Sequence, residues 1–410
     1  MKRIAIKNIC EVYDGPHATP KKTETGPVYL GIDAITEDGM LDSSQFSYLS
    51  KEDYIKWTKR VVPQENDIVF SYEATLGKYA LIPRGFYGCL GRRLAIIRVI
   101  SEEIDAKWLY YYFRSPEWNA FIKNQTVKGS TVDRISVEEF PNYTIPVISL
   151  KNQKKMVAVL EKIDAKIRTN NKINDYLEEM AKTLYDYWFV QFEFPDENGN
   201  PYKSTGGKMS RTKDFGLAPC GWKFGNLYDI AEFINGLACQ KYRPMEDEAS
   251  LPVIKIKEMH DGISSDTERV KATIPEKNIV NTGDILFSWS ASLEVQHWAG
   301  TTGGLNQHIF KVIPKKGYSS SYVYHQLQAY VIKFIQMADA RKTTMGHITS
   351  DHLRQSIIVL PPENIVRNFS QQVDDIHAEI NHINIENHRL SQLRDWLLPM
   401  LMNGQATIED

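Results

Sequence analysis

Cysteine is scarce and scattered in this chain. Cys10, Cys89, Cys220 and Cys239 are the only four, and no two form a Cys-x-x-Cys pair. Neither a disulfide framework nor a thiolate zinc site is therefore expected, and unpaired thiols fit a reducing, cytoplasmic location. Long apolar runs are missing as well. Nothing approaches the ~20 residues needed to cross a bilayer, and the opening MKRIAIKNIC has no apolar stretch of the kind a secretory leader needs. Excess charge is also lacking. With 49 Lys and Arg against 51 Asp and Glu, contact with a polyanion has to come from local patches or from a partner. What remains is an ordinary globular composition over 410 residues, enough for two or three domains.

Catalytic signatures are absent too. No glycine-rich strand-to-helix fingerprint for a dinucleotide or for S-adenosylmethionine appears. Gly206-Gly207-Lys208 lacks the earlier glycine and the following Ser or Thr of a phosphate loop, and reads as a linker. There is no His-Glu-x-x-His. His347 and His352 are five apart and do not share a helix face, while His377, His382 and His388 fall among polar positions and are expected to be solvated. Pro195-Asp196 opens a turn with no acidic-x-Lys strand after it, so the carboxylate–lysine set of a metal-dependent nuclease is missing. Neither catalytic nor metal-ligating residues are assigned.

What is present is a pair of long heptad stretches, 151–188 and 363–401. In the first, Met156, Leu160, Ile163, Ile167, Asn170, Asn174, Leu177, Ala181, Leu184 and Trp188 follow 4-3 spacing. This pattern buries one stripe of a long helix against another. A shift of 213 lays Leu160, Ile163, Ile167, Asn174, Leu177 and Leu184 on Val373, Ile376, Ile380, Asn387, Leu390 and Leu397. These twelve are the expected helix interface. The aromatic cluster Trp188, Phe189, Phe192 and Phe194 reads equally as a local core or as a partner-docking patch.

The segments before the helices repeat as well. ICEVYDG from Ile9 echoes IAEFING from Ile230, and DIVFSYEATL at 67–76 echoes DILFSWSASL at 284–293. GRRLAIIRV at 91–99 is matched to GLNQHIFKV at 304–312. Short β-branched strands mixed with short helices predict a compact α/β (α+β) domain. Val28–Ile35, Asp67–Ser71 and Leu94–Val99 are expected strands, and a helix is expected from Lys107 toward Ile122. The domain plan is 1–150, a long helix over 151–194, a Gly/Pro/Ser-rich linker over 195–215, a second domain over 216–361, and a second helix with its tail over 362–410.

Basic and polar loops stand out in both copies. Lys78, Arg84, Arg92 and Arg93 lie in a stretch free of acidic residues, interleaved with Tyr79 and Tyr87. Lys128, Ser130, Thr131 and Arg134 are mirrored by Arg341, Lys342, Thr343, Thr344 and His347, and Gln307 joins the second set. Lys and Arg neutralise phosphate, Arg reads guanine edges, and hydroxyls and backbone amides suit phosphate oxygens. Placed alike in both copies, these residues point to DNA binding.

Four stretches give the chain a family resemblance. LAPCGWKFGNLYDIAE from Leu217 is similar to a "P-x-GW … L-x-DIAE" opening, TLYDYWFVQFEF from Thr183 to a conserved central region, TVDRISVEEFPNYTIPV from Thr131 to the exit from a target recognition domain, and LSQLRDWLLPMLMNGQ from Leu390 to an "LR-x-x-LLP" ending. Together they resemble the specificity subunit (HsdS) of type I restriction–modification systems, over essentially the whole chain. The first copy departs from the pattern by lacking the "P-x-GW" opening. The resemblance implies two target recognition domains on an antiparallel coiled coil with a pseudo-twofold relation. Each domain would read one half of a bipartite, asymmetric DNA site, with the helices setting the spacer. It implies no catalysis in this chain. Two modification (methyltransferase) subunits carrying S-adenosylmethionine would dock on the helices, where Trp188, Phe189, Phe192 and Trp396 are the candidate contacts. A restriction/translocase subunit would join them, with no membrane involved. The competing expectations are a self-contained methyltransferase or nuclease, against which the missing motifs count, and a coiled-coil scaffold that binds only protein.

Overall fold

The computed structural model describes residues 2–36, 38–126, 133–212, 216–264, 266–290, 293–340, 348 and 350–402. Chain contacts divide it into two compact units, Met1–Lys166 with Ser391–Asp410, and Ile167–Leu390. The division falls inside the long helices, whereas the sequence plan set them apart as separate segments.

In the first unit, strands Cys10–Asp14, Leu94–Val99, Ile68–Ser71 and Tyr79–Leu81 form an antiparallel sheet in that order. Ile68–Ser71 is buried along its whole length, which is why its sequence is a continuous apolar run rather than an alternating one. A smaller sheet joins Ser47–Tyr48, Thr23–Leu30 and Gly88–Leu90. A ribbon of Lys2–Ala5 with Thr144–Val147 closes the domain. The helix expected from Lys107 is two helices, Ala106–Phe113 and Pro116–Gln125, broken where Ser115 caps the second and Pro116 opens it.

The second unit repeats this plan. Ala231–Asn235, Ile309–Pro314, Ile285–Ser288 and Glu294–His297 form its antiparallel sheet. Arg269–Lys271, Ser250–Ile254, Gly303–Leu305 and Ile279–Val280 form its smaller sheet, and Lys223–Gly225 with Ile358–Leu360 its ribbon. One helix, Ser320–Ala340, stands where the first domain has two. The linker is more ordered than its composition suggested, because Met209–Thr212 and Gly216–Pro219 pair as a hairpin.

Registers correct the repeat alignment. Ser71 pairs with Leu94, and Ser288 pairs with Ile309. Leu94 therefore corresponds to Ile309, two residues beyond the match made on the glycines of GRRLAIIRV and GLNQHIFKV. A close approach confirms the frame. A Cβ on Gly15 would lie 3.0 Å from the Gly91 carbonyl oxygen, and one on Gly236 would lie 2.0 Å from that of Asn306, the residue the same frame sets opposite Gly91.

The long helices run Leu150–Tyr185 and Glu363–Met402, the first continuing as a π-helical turn, Asp186–Val190. Within the second unit they are antiparallel. Asn174 Nδ2 donates to Asn384 Oδ1 at 2.7 Å, and Asn387 Nδ2 donates to Asn171 Oδ1 at 2.8 Å. The shift of 213 converts either bond into the other, which is the mark of a local twofold between duplicated helices. Asn170 Nδ2 adds bonds to Glu386 Oε2 and Asn387 Oδ1. Polar groups on an apolar seam cost stability but discriminate against slipped pairings. The expected interface positions follow the seam. Ile167, Val373 and Ile380 are buried, and Asn174, Leu177, Ile376, Asn387 and Leu390 are partly buried. Leu184 and Ile376 also pack on the domain core. In the first unit Leu160 and Ile163 are buried and Leu397 partly buried, and Leu160 and Leu397 join the core that includes Leu398 and Leu401.

His377 is partly buried under a second helix rather than freely solvated, contrary to the sequence expectation. The helix Ser320–Ala340 brings His325 over it, with the two Nε2 atoms 3.1 Å apart, and His297 stands 5.1 Å away between ring centroids. Burial, then the neighbouring histidines, push His377 down to about 3, and burial pushes His325 down to about 4. His297 is also lowered, again by burial. These rings are neutral when folded and take up protons more readily when unfolded. Their contribution to stability is therefore present above the unfolded pKa near 6.5 and is lost as pH falls from there toward 4. The melting temperature is expected to fall steadily over that range. A His325→Leu/His377→Leu variant should flatten the profile, and an identical slope in parent and variant would assign the acid sensitivity elsewhere.

Candidate nucleic-acid interface

In the first domain three loops meet at one end of the main sheet. The chain leaves strand Ile68–Ser71 at Tyr72-Glu73, where Tyr72 N donates to Arg93 O at 3.1 Å and Tyr72 O accepts from Ile135 N at 2.8 Å. Glu73 bridges to Arg134 through the backbone, and its Oε1 lies 3.0 Å from Arg93 Nε. Arg93 itself is in the left-handed region at φ 72°, so the two-residue step Arg92-Arg93 turns sharply between strands Gly88–Leu90 and Leu94–Val99. Arg92, Arg93 and Arg134 thus converge, although 42 positions separate the first and last. Beside them Asp14 Oδ2 lies 2.9 Å from His17 Nε2 and 3.6 Å from Arg60 Nη1. A hollow of about 210 Å³ opens there, walled by Asp14, Lys56, Trp57, Lys59 and Arg60. Burial, with Asp14 nearby, pushes the Tyr72 phenol up and keeps it neutral.

The second domain builds the same junction from other side chains. Trp289 N donates to His308 O at 3.2 Å, and Trp289 O accepts from Ile348 N at 3.2 Å. The corresponding step is Gln307-His308, with Gln307 Nε2 3.3 Å from His308 Nε2 and the His308 ring 5.6 Å from the Trp289 ring. Among the described residues, no group of three or more His, Cys, Asp or Glu is placed to hold a metal ion, and no helix is long and apolar enough to cross a membrane.

A doubled, polar, loop-built surface on a duplicated frame coincides with what the family comparison finds. The sequence profile of the type I restriction modification DNA specificity domain matches residues 1–179 and again residues 219–394. The chain belongs to this family. The specificity subunit of type I restriction enzyme MjaIX from Methanocaldococcus jannaschii is 24% identical over 423 residues, covering 99% of this chain and 93% of the relative. That of HindI from Haemophilus influenzae is 22% identical over 331 residues, covering 68% and 72%. The crystal structure of a type I S subunit from M. genitalium has the same fold, with a TM-score of 0.51 at 13% identity over 98% of this chain and 95% of that one.

The specificity subunit does not gather all the residues its sequence suggested. Arg92, Arg93 and Arg134 come together, as does Gln307 with His308. Arg84 and Tyr87 are exposed, with Tyr87 against Tyr54 at 4.7 Å, on the helix that also carries Lys56 and Trp57. Lys78 Nζ instead donates to Ile35 O at 3.0 Å. Tyr79 belongs to the core. It stacks on Phe70 and Phe113, and its hydroxyl accepts from Trp118 Nε1 at 2.8 Å. Lys128, Ser130, Thr131, Arg341, Lys342, Thr343, Thr344 and His347 lie outside the described residues. Sequence reading missed His17, Lys56, Lys59, Arg60 and His308.

Of the docking candidates, Trp188, Phe189 and Phe192 are interior. Phe189 packs on Tyr322 at 4.9 Å and Phe369 at 5.1 Å, Trp188 on Phe369, and Phe192 on Trp222. This answers the open choice for those three in favour of a local core. Trp396 stays 59% exposed.

Proposed function

We propose that the three-loop end of each domain is its DNA-reading face, and that each domain reads one half of a bipartite site. The observation that carries this is the doubled junction. Backbone hydrogen bonds are the same in both domains, while the side chains they present differ, Arg-Arg beside Glu73 against Gln-His beside Ser290. A shared frame with divergent tips is what two related readers of different half-sites require. The antiparallel helices set the spacer between the half-sites. Catalysis belongs to partner subunits. Two modification subunits supply methyl transfer with S-adenosylmethionine, and a restriction/translocase subunit completes the complex. The apolar residues that the long helices leave uncovered are the docking sites. Met180 and Leu393, related by the shift of 213, are both exposed, as is Trp396.

The basic rim of the first domain tests the placement. Lys56, Lys59 and Arg60 are exposed and suited to phosphate rather than to bases. Changing all three to Ala in the complex with its modification subunits should weaken binding to every duplex alike. The salt slope should shrink by about 2.7, at roughly 0.9 per lost phosphate contact. An unchanged slope would place the DNA elsewhere.

A further inference from the structure

Within the doubled junction one position differs from the rest in how it is held. Arg93 is tied to Glu73 and His308 leans on Trp289, while the residue before each sits on a backbone pinned at both ends of the step. Gly91 N donates to Leu30 O at 2.7 Å, and Asn306 N donates to Ile254 O at 3.1 Å, so both steps start from the same anchor. They end on the same anchor too, through Tyr72 and Trp289. Arg92 N is held by the Tyr29 hydroxyl at 3.0 Å, and Gln307 N by Leu237 O at 2.9 Å. The Arg92 side chain is exposed and makes no hydrogen bond or ion pair to another described residue. The Gln307 side chain is half-buried, with its Nε2 3.3 Å from His308 Nε2.

Building on the DNA-reading face proposed above, we infer that this step carries the base-reading residue of each domain, with Arg92 taking a guanine edge and Gln307 an adenine edge. The chemistry follows from donor and acceptor counts. A guanidinium offers two parallel N–H donors, which match the O6 and N7 acceptors of guanine in the major groove. A Gln amide offers one acceptor and two N–H groups. With one N–H directed at His308 Nε2, one donor and the carbonyl oxygen remain, and these complement N7 and N6 of adenine. His308 thus acts as a positioning residue, fixing which way the amide points. The same step carries both residues at the same backbone position, so a difference in the base read requires no difference in fold.

The test uses the full complex with its modification subunits, selecting from duplexes randomised across the site, and compares the parent with Arg92→Gln, Arg92→Lys and Gln307→Arg. Arg92→Gln should remove the preference for guanine at one position of one half-site, a change of roughly 5- to 150-fold, and leave the other half-site as it was. Arg92→Lys keeps the charge but not the fork, and should lose most of the same preference. Gln307→Arg should convert one adenine in the other half-site to guanine. A parent that selects no two-part sequence refutes the DNA-reading function itself. A parent that selects one, with every base preference kept in all three variants, overturns only the assignment of this step. So does a uniform loss of affinity in Arg92→Gln with Arg92→Lys near the parent, because that pattern marks a phosphate contact.

Discussion

A chain in which residues 2–147 stand in place of residues 223–360 is expected to direct methylation to a symmetric site, two copies of one half-sequence in inverted order. The exchange joins equivalent points of the chain because both domains begin and end on the same ribbon. Lys2–Ala5 pairs with Thr144–Val147 in one, and Lys223–Gly225 pairs with Ile358–Leu360 in the other. Both lead directly into a long helix, at Leu150 and at Glu363. The asparagine bonds between the helices already obey a local twofold relation, and under the proposed function two identical domains are two identical readers. Duplex DNA carries a twofold of its own, and two identical readers of one duplex are expected to select an inverted repeat. Methylation mapping in cells holding the modification subunits reads the outcome. Persistence of the parent motif would show that residues 223–360 do not specify its second half.

Arg394→Leu is expected to cost the first unit about 3–5 kcal/mol, the usual penalty for stripping one partner from a buried ion pair. Arg394 Nη1 lies 3.2 Å from Asp164 Oδ1, with both side chains at or below 10% exposure. The other carboxylate oxygen accepts from the Tyr111 hydroxyl at 2.6 Å, which cannot replace a cation. Asp164 belongs to the first long helix and Arg394 to the second, so the variant leaves a buried charge on the seam. Changing Arg394 and Asp164 to Leu together, with Tyr111→Phe to avoid an orphaned hydroxyl, should restore most of the loss, because removing every polar partner is far cheaper than removing one. Denaturant titration of the set decides this. A single variant as stable as the parent would mean that water reaches Asp164.

The long helices were readable because a heptad period is a local property, and the Asn positions fell on the seam where the structure finds them bonded. The duplication was readable for the same reason, since framework strands such as 67–71 and 284–288 keep their pattern. Its register across the Arg92 step was not, because glycine matching ignored a two-residue change in spacing that only the strand pairing reveals. Tyr79 was misread because an aromatic in a basic stretch looks exposed, whereas Phe70, Phe113 and Trp118 enclose it. His377 was misread because its polar helix neighbours imply solvent, and the covering helix comes from 52 residues earlier. Lys56, Lys59 and Arg60 passed unnoticed because Asp14, 46 residues before Arg60, is what brings this segment beside the loops proposed to read DNA. Trp188, Phe189 and Phe192 were ambiguous in sequence, since buried and partner-covered aromatics leave the same pattern.

The most direct measurement of the central claim is the methylation map of cells carrying the modification subunits with and without this chain. Two domains with one frame and different tips predict a single motif that appears only with the chain. It should consist of two unlike half-sequences separated by a gap of fixed length in which no base is preferred. A continuous motif, two motifs occurring independently, or the same map in the absence of the chain would contradict the account.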